Sequence, residues 1–276
     1  MSETVSLVIL LLDHTGPAKK SAEGLARNLG LDLLQPVNTG PGAFDLNLLH
    51  RQLKLHAKKY DMGLLVTPVG LMLKDLSSPM RPLWIDFCER PDDWGGETFN
   101  RKSLLARALG IGQHGALKIL DCTAGMARDA CLLASLGCHV TMLERSPVLA
   151  SLIQDALHRL RLSQTTDLAR CLHFHQVDAN VWLQNKKAED AVVYIDTMFS
   201  DQRSSALPKG NMQFLRKLLP DDDDCENLAS LAIGAGYTRV VVKRPLHWQW
   251  QSQFMRKQVA NHSLRGKSLR YDIFVS

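Results

Sequence analysis

The chain has 276 residues, of which 45% are hydrophobic and 22% are charged. This balance is typical of a globular protein with one large domain or two small ones, and it excludes a mainly disordered or collagen-like chain. The 33 lysines and arginines against 28 aspartates and glutamates give a net charge of +5. A charge of this size permits an anionic partner but does not require one.

The sequence predicts neither a membrane span nor a metal site. The apolar run near the start, residues 7–12, is far shorter than the ~20 residues that a spanning helix needs, and it lacks the basic flank and cleavage site of a signal peptide. Six scattered cysteines without a C-x-x-C pair predict reduced thiols in a cytoplasmic protein. His173 and His175 share a face in a strand, but no third ligand accompanies them.

Residues 1–90 are predicted to form a small α+β domain. An apolar segment predicts a strand at 6–12, and helical spacing of apolar residues predicts a helix at 17–29. Residues 46–60 are irregular and fit either a pair of strands or a helix. Short β-type segments between turn signals predict three further strands, at 63–66, 69–73 and 83–87.

Residues 91–276 are predicted to form a second domain after a linker at 89–100, which is rich in Pro, Asp and Gly. Helices are predicted at 101–109, 128–136, 147–162, 205–219 and 226–235. Strands are predicted at 118–122, 139–143, 171–177, 191–195 and 238–242. This alternation favours crossover connections and a mostly parallel, Rossmann-like α/β sheet. Two final segments, 256–264 and 268–275, predict an antiparallel hairpin at its edge.

Polar residues follow the strands of the second domain, where a doubly wound sheet binds its ligands. Asp121 closes the first strand and Glu144 the second. A nicotinamide cofactor needs a G-x-G-x-x-G turn for its pyrophosphate, but Gly125 stands alone here. S-adenosylmethionine has no phosphate and needs one tight turn and an acid for its ribose hydroxyls. Glu144, about 20 residues after Asp121, suits that acid, and Asp178 after the third strand suits the adenine amino group.

Several short motifs carry a resemblance to a known family. They are D-C-T-A-G-M-A-R-D-A from Asp121, L-A-S-L-G-C with M-L-E-R-S-P around Glu144, and V-V-Y-I-D-T-M-F-S over residues 192–200. With V-V-V-K-R-P over residues 240–245, they resemble the bacterial 16S ribosomal RNA guanine-N2 methyltransferase J family. This sequence differs from the family pattern at Ala127, where the family has glycine, at Asp178-Ala179, where it has Ser-Ser, and at Thr197 and Ser200, where it has prolines.

The resemblance implies the fold of an S-adenosylmethionine-dependent methyltransferase, methylation of a guanine amine in small-subunit ribosomal RNA, and no metal. The cofactor site that the resemblance implies includes the turn at Gly125 and the residues that follow the strands. The cofactor-binding set is Asp121, Gly125, Arg128, Asp129, Glu144, Arg145, Asp178, Ala179 and Asp196.

The fourth strand end is the predicted catalytic turn. An exocyclic amine is a weak nucleophile, because its lone pair is delocalised into the ring. Asp196 can accept one N–H of the amine and the backbone carbonyl of Thr197 the other, which aims the nitrogen at the methyl group. Phe199 can stack on the base.

The last part of the chain predicts contact with 16S ribosomal RNA or the small ribosomal subunit. Between Tyr237 and Tyr271 there are eight basic residues and no acidic ones, with tryptophans interleaved. This composition suits a phosphate backbone and unstacked bases. The predicted RNA-binding residues are Lys243, Arg244, Trp248, Arg256 and Lys257. Two alternatives stay open: a non-catalytic RNA-binding assembly factor, and a methyltransferase for another substrate.

Overall fold

A computed structural model describes residues 5–12, 16–34, 59–88, 99–112, 117–163, 166–185, 190–197, 211–219, 224–258 and 260–275. The chain divides into two compact units. One unit comprises Met1–Asp86, Ser151–Arg159 and Ser204–Pro220, and the other comprises Phe87–Ala150, Leu160–Arg203 and Asp221–Ser276. The predicted linker at 89–100 lies almost entirely outside the described residues, so a domain boundary at residue 90 stays a prediction.

The first unit is built on a five-stranded sheet with the order β2-β1-β3-β4-β5. Its strands are β1 (Leu7–Leu11), β2 (Asp32–Leu34), β3 (Met62–Thr67), β4 (Gly70–Asp75) and β5 (Leu83–Trp84). Strand β1 runs parallel to β2 and β3, which requires a crossover, and helix α1 (Gly16–Leu29) lies between β1 and β2 in sequence. Strands β3, β4 and β5 are antiparallel. All of β3 is buried, as its apolar sequence predicts.

The second unit contains a seven-stranded sheet with the order β11-β12-β10-β9-β6-β7-β8. Its strands are β6 (Lys118–Asp121), β7 (His139–Glu144), β8 (Leu172–Gln176), β9 (Val192–Ile195), β10 (Arg239–Pro245), β11 (His262–Arg265) and β12 (Leu269–Val275). Strands β6 to β10 are parallel, whereas β12 pairs antiparallel with both β10 and β11. The predicted parallel Rossmann-like sheet with an antiparallel edge hairpin is therefore confirmed.

The remaining described helices are α2 (Leu104–Leu109), α3 (Arg128–Ser135), α4 (Pro147–Leu162), α5 (Thr166–Cys171), α6 (Ala179–Asn185), α7 (Asn211–Leu218), α8 (Cys225–Gly234) and α9 (Gln253–Lys257). Helices α6 and α8 bury Leu183 and Ala229 in one apolar cluster with Val193 of β9 and Val242 of β10. None of the helices in the described ranges is long and apolar enough to cross a membrane.

The prediction of a strand over 256–264 is wrong in its first part. Residues up to Lys257 belong to α9, because Ser252 caps that helix by accepting the Met255 N–H at 3.2 Å. The sequence reasoning also missed α5, α6 and β2. The irregular segment 46–60 falls mostly outside the described residues, as does the start of the predicted helix 205–219.

Candidate active site at the carboxyl edge of the seven-stranded sheet

Strand pairing brings the predicted site residues to one edge of the sheet. Strands β6, β7, β9 and β10 are parallel neighbours, so the residues that follow each of them emerge on the same side. Asp121 ends β6 and Glu144 ends β7. Asp196 follows β9, and Lys243 lies beside it on β10 because Val242 pairs with Ile195.

The loop between β6 and α3 makes a tight turn. Gly125 and Ala127 both have left-handed backbone angles, with φ of 55° and 56°. The turn is fixed to β7 by the Ala124 N–H, which donates to the carbonyl of Leu143 at 3.0 Å. Ala127 is the one non-glycine residue with a positive φ in the described ranges. An L-residue pays about 1–2 kcal/mol for this conformation, which explains a glycine in the resembling family.

Glu144 is a buried carboxylate held by two backbone N–H groups. Its Oε2 accepts the N–H of Gly125 at 3.0 Å, and its Oε1 accepts the N–H of Ser146 at 2.7 Å. Burial raises the pKa of Glu144, and these two hydrogen bonds oppose the rise. Each carboxylate oxygen has two acceptor positions, so each retains one after these bonds. The arrangement fits two ribose hydroxyls beside the Gly125 turn.

Asp178 and Arg145 lie just beyond the ends of β8 and β7. Asp178 Oδ1 accepts the N–H of Asn180 at 2.7 Å and so caps α6, whose first residue, Ala179, is buried. Arg145 Nη1 is 3.9 Å from Asp178 Oδ2 and 2.7 Å from Asp224 Oδ2. Both predicted cofactor residues are therefore present at this edge but are already engaged by protein groups. Arg128 is exposed at the start of α3.

Asp196 belongs to a cluster of charged groups. The ammonium of Lys243 is 2.6 Å from Asp196 Oδ2 and 3.6 Å from Asp129 Oδ2. The hydroxyl of the buried Tyr194 donates to the same Asp129 oxygen at 2.6 Å. Burial and the negative charge of Asp129 raise the pKa of Asp196, whereas Lys243 lowers it, and the net result is a pKa above the ordinary range.

Asp121 lies under this cluster and is 2% exposed. Its Oδ1 accepts the N–H of Thr123 at 3.0 Å, and the hydroxyl of Thr123 in turn accepts the N–H of Asp196 at 2.7 Å. Burial, with the negative charges of Asp129, Asp196 and Glu144, raises the pKa of Asp121 to about 8. This network fixes the β6 turn and the β9 turn to each other.

Thr197 is buried beside Asp196, and its hydroxyl oxygen has no hydrogen-bond partner among the described residues. Phe199, the predicted stacking residue, and Ser200 lie outside the described residues.

The prediction that Arg244 contacts a phosphate is wrong, because its side chain is fully buried. Successive residues of a strand point to opposite faces, so Lys243 and Arg244 cannot both face the same ligand. The guanidinium carbon of Arg244 lies 3.5 Å from the centre of the Trp248 ring and 3.3 Å from that of Trp250. Trp248, predicted to bind RNA, is half-buried against this arginine.

The other predicted RNA-binding residues have different surroundings. Lys243 forms ion pairs with Asp196 and Asp129 within the cluster, and its phosphate contact stays a prediction. Arg256 and Lys257 are on α9, at the surface, and Arg256 Nε also donates to the carbonyl of Trp250 at 3.0 Å.

Sequence reasoning missed Tyr194 and Thr123 as members of the site. Strand alternation was the available signal for Tyr194, because it lies two residues before Asp196 and so shares its face. No comparable pattern marks Thr123, whose hydroxyl acts across two loops.

No group of three or more metal-binding side chains occurs in the part of the protein that the structure describes. His173 and His175 lie on β8, the edge strand.

Known proteins are similar to this chain over most of its length. Residues 47–276 match the family described as "Putative SAM-dependent methyltransferase". Ribosomal RNA small subunit methyltransferase J of Coxiella burnetii (strain Dugway 5J108-111) is 33% identical over 274 residues, covering 96% of each chain. The enzyme of the same name from Nitrosococcus oceani is 34% identical over 263 residues, covering 93% of this chain and 94% of that one.

A solved structure supports the fold. The crystal structure of a SAM-dependent methyltransferase from Neisseria gonorrhoeae matches with a TM-score of 0.61 and 24% identity, covering 97% of this chain and 96% of that one. The protein is an S-adenosylmethionine-dependent methyltransferase, and the chain belongs to the ribosomal RNA small subunit methyltransferase J family.

Proposed function

We propose that this enzyme methylates the exocyclic N2 amine of a guanine in 16S ribosomal RNA, in the cytoplasm. The observation that carries the proposal is the Asp196–Thr197 turn, which follows β9 beside the Gly125 turn and Glu144. The relatives that span nearly the whole chain are named ribosomal RNA small subunit methyltransferase J, which supports ribosomal RNA of the small subunit as the substrate.

The cofactor is proposed to lie along the carboxyl edge, over the β6 turn. The left-handed turn at Gly125 leaves room for the amino-acid part of S-adenosylmethionine. The carboxylate of Glu144, held by two backbone N–H groups, accepts the hydroxyls of the cofactor's ribose. Asp178 and Ala179 are proposed to border the adenine. Asp121 acts from beneath by holding Thr123, and Arg128, Asp129 and Arg145 border the site at the α3 and β7 ends.

S-adenosylmethionine supplies an electrophilic methyl group on a positively charged sulfur. Asp196 accepts one N–H of the guanine amine and the backbone carbonyl of Thr197 accepts the other, so the nitrogen lone pair is directed out of the ring plane. The nitrogen gains a bond to the methyl carbon, the carbon–sulfur bond breaks with its electrons on sulfur, and the amine loses one proton. Asp196 receives that proton and passes it to water, which its raised pKa favours.

The RNA backbone is proposed to contact the side chains of Arg256 and Lys257 on α9. A guanine amine inside a paired helix is hard to reach, so the target base is flipped out or already unpaired when it binds. Phe199 is proposed to stack on that base. The division of the chain at residue 90, and a role for residues 1–90 in guiding the RNA, remain part of this proposal.

The test is transfer of radiolabelled methyl groups from S-adenosylmethionine to unmodified small ribosomal subunits and to naked 16S RNA. We expect the label on a guanine, identified by mass spectrometry of the digested RNA. The rate of methyl transfer is expected to be at least about 100-fold lower in Asp196→Ala than in the wild type. Asp190→Ala is the matched control, because Asp190 is exposed just before β9, at the opposite end of the strand.

The outcomes separate the alternatives. Cofactor binding without label in either RNA substrate would contradict the proposal and point to another substrate. RNA binding without cofactor binding would point to a non-catalytic assembly factor. Full activity in Asp196→Ala would remove the catalytic turn from the mechanism.

A further inference from the structure

Two carboxylates share one ammonium at the centre of the site. Lys243 Nζ is 2.6 Å from Asp196 Oδ2 and 3.6 Å from Asp129 Oδ2. The exposed fractions of the three side chains are 26% for Lys243, 29% for Asp129 and 31% for Asp196. Because these groups are partly withdrawn from water, their interactions are screened less than those of a surface ion pair.

The remaining contacts hold this triad in place. The Tyr194 hydroxyl donates to Asp129 Oδ2, the same oxygen that faces Lys243. The backbone of Asp196 is held by the Thr123 hydroxyl at 2.7 Å. The arrangement is a continuous series of polar contacts from Tyr194 through Asp129 and Lys243 to Asp196.

We propose that Lys243 is a positioning residue of the reaction, whose ammonium orients the Asp196 carboxylate and keeps it ionised to receive the substrate amine. The inference rests on the proposed function, in which Asp196 accepts an N–H of guanine. Asp129 and Tyr194 hold the lysine in this position rather than touching the substrate themselves.

The charges around Asp196 explain why it needs such a partner. Asp129 faces it with negative charge, Asp121 beneath it is mostly protonated at neutral pH because its pKa is raised to about 8, and the only cation that contacts Asp196 among the described residues is Lys243. Burial and Asp129 raise the pKa of Asp196, and Lys243 opposes them. A protonated Asp196 could not receive the amine proton.

Lys243 remains a cation in this setting. Burial alone would lower its pKa, but the carboxylates of Asp196 and Asp129 raise it well above its ordinary value. Tyr271, on β12, pairs with Lys243 and also faces its ammonium. The charge of Lys243 lowers the pKa of the Tyr271 phenol, but burial raises that pKa by more. Lys243 therefore stays charged throughout the pH range in which Asp196 titrates.

The test measures the Asp196 carboxyl group directly by ¹³C NMR titration of the cofactor-free protein, with the signal assigned by its loss in Asp196→Asn. Replacing Lys243 with methionine removes the charge but keeps an unbranched side chain, and we expect the pKa of Asp196 to rise by about 1 to 3 pH units. Lys243→Arg keeps the charge and is expected to restore the wild-type titration. Lys118→Met, an exposed lysine at the far end of β6, is the matched control.

Activity gives a second readout. In Lys243→Met the acid limb of the rate–pH profile is expected to move upward with the carboxyl titration, so that methyl transfer at pH 7 falls by about twofold to 100-fold, in step with the size of the pKa rise, and recovers as the pH is raised. A merely structural lysine would lower the rate equally at all pH values and leave the carboxyl titration unchanged, and that result would overturn the inference.

Further variants extend the same NMR titration. Asp129→Asn removes a negative charge beside Asp196 and is expected to shift the carboxyl titration downward, opposite to Lys243→Met. Lys243→Gln also removes the ammonium and carries the test where Lys243→Met fails to fold. The NMR titration needs neither RNA nor cofactor. If the wild type does not methylate ribosomal RNA, the proposed function fails, whereas an unchanged Asp196 titration in the variants that lack the Lys243 ammonium rejects the role of Lys243.

Discussion

The guanidinium carbon of Arg244 lies 3.3 Å from the centre of the Trp250 ring. Trp248 covers the same guanidinium at 3.5 Å, Arg244 Nη2 donates to the Cys225 sulfur at 3.4 Å, and Arg244 Nε is 3.9 Å from Asp272 Oδ2. Burial lowers the pKa of this arginine to about 10, so it is still a cation at neutral pH. A buried cation is costly unless aromatic faces and acceptors replace its hydration, and therefore Arg244 is expected to act in stability rather than in RNA binding.

Arg244→Ala is expected to lower the free energy of unfolding by about 2–5 kcal/mol, because it leaves a cavity between two indole rings. The matched variant is Arg256→Ala, which removes a surface arginine of the same basic region and is expected to cost less than about 1 kcal/mol. Urea denaturation followed by circular dichroism measures both. An equal decrease in the free energy of unfolding in Arg244→Ala and Arg256→Ala would contradict the structural role of Arg244.

Arg256 and Lys257 are expected to contribute to RNA affinity through their charge. Because each phosphate contact releases counterions, each alanine variant is expected to weaken RNA binding and to reduce the slope of log affinity against log salt concentration by about 0.7–0.9. Filter binding over a salt series measures the slope. Lys118→Ala, at the opposite edge of the sheet, is the control, and an unchanged slope in both α9 variants would place the RNA elsewhere.

The site could be located from the sequence because strand order fixes where strands end. Alternating strands and helices predict a parallel sheet, and a parallel sheet places Asp121, Glu144 and Asp196 at one edge whatever the details of packing. The structure shows that pairing register then brings Lys243 opposite Asp196. Alternation along β10 separates Lys243 from Arg244, but only the packing of α8 and the tryptophans decides which of the two faces is buried.

Contacts between segments that are far apart in the sequence were not predictable. The Thr123 hydroxyl meets the backbone of Asp196 from 73 positions away in sequence, and no local pattern encodes that bond. The error at α9 is of another kind. A serine that caps a helix was present at Ser252, but the helix has only five residues, too few for helical periodicity to stand out.

Glu144→Gln is expected to weaken S-adenosylmethionine binding by about 10- to 100-fold. The neutral amide forms weaker hydrogen bonds with the ribose hydroxyls than the carboxylate does. Its NH₂ group also faces a backbone N–H, so that donor loses its acceptor. Isothermal titration calorimetry measures the affinity. Glu226→Gln is a close control, because Glu226 likewise accepts two backbone N–H groups, those of Gln251 and Ser252. Equal affinity losses in the two variants would indicate general destabilisation instead of a ribose contact.

Asp121 is expected to make the protein less stable as the pH rises. Its pKa is raised from 3.8 to about 8 on folding, so the folded state binds the proton more tightly. The resulting stabilisation is complete below pH 4 and is lost as the pH rises through about 8. Asp121→Asn keeps an acceptor for the Thr123 N–H without ionising. The free energy of unfolding of the variant relative to wild type is therefore expected to increase by at least about 2 kcal/mol between pH 5 and pH 8, and parallel pH profiles would contradict this.

Thr197→Val tests the buried hydroxyl in the catalytic turn. Because the Thr197 hydroxyl has no hydrogen-bond partner among the described residues, replacing it with a methyl group is expected to raise the free energy of unfolding by about 1 kcal/mol. Methyl transfer is expected to stay within about threefold of wild type, since the backbone carbonyl is retained. Thr123→Val is the matched opposite case: its hydroxyl accepts the Asp196 N–H, so that variant is expected to lose about 1 kcal/mol or more together with activity. A large activity loss in Thr197→Val without a change in stability would instead assign its hydroxyl to the substrate and contradict a role limited to the carbonyl.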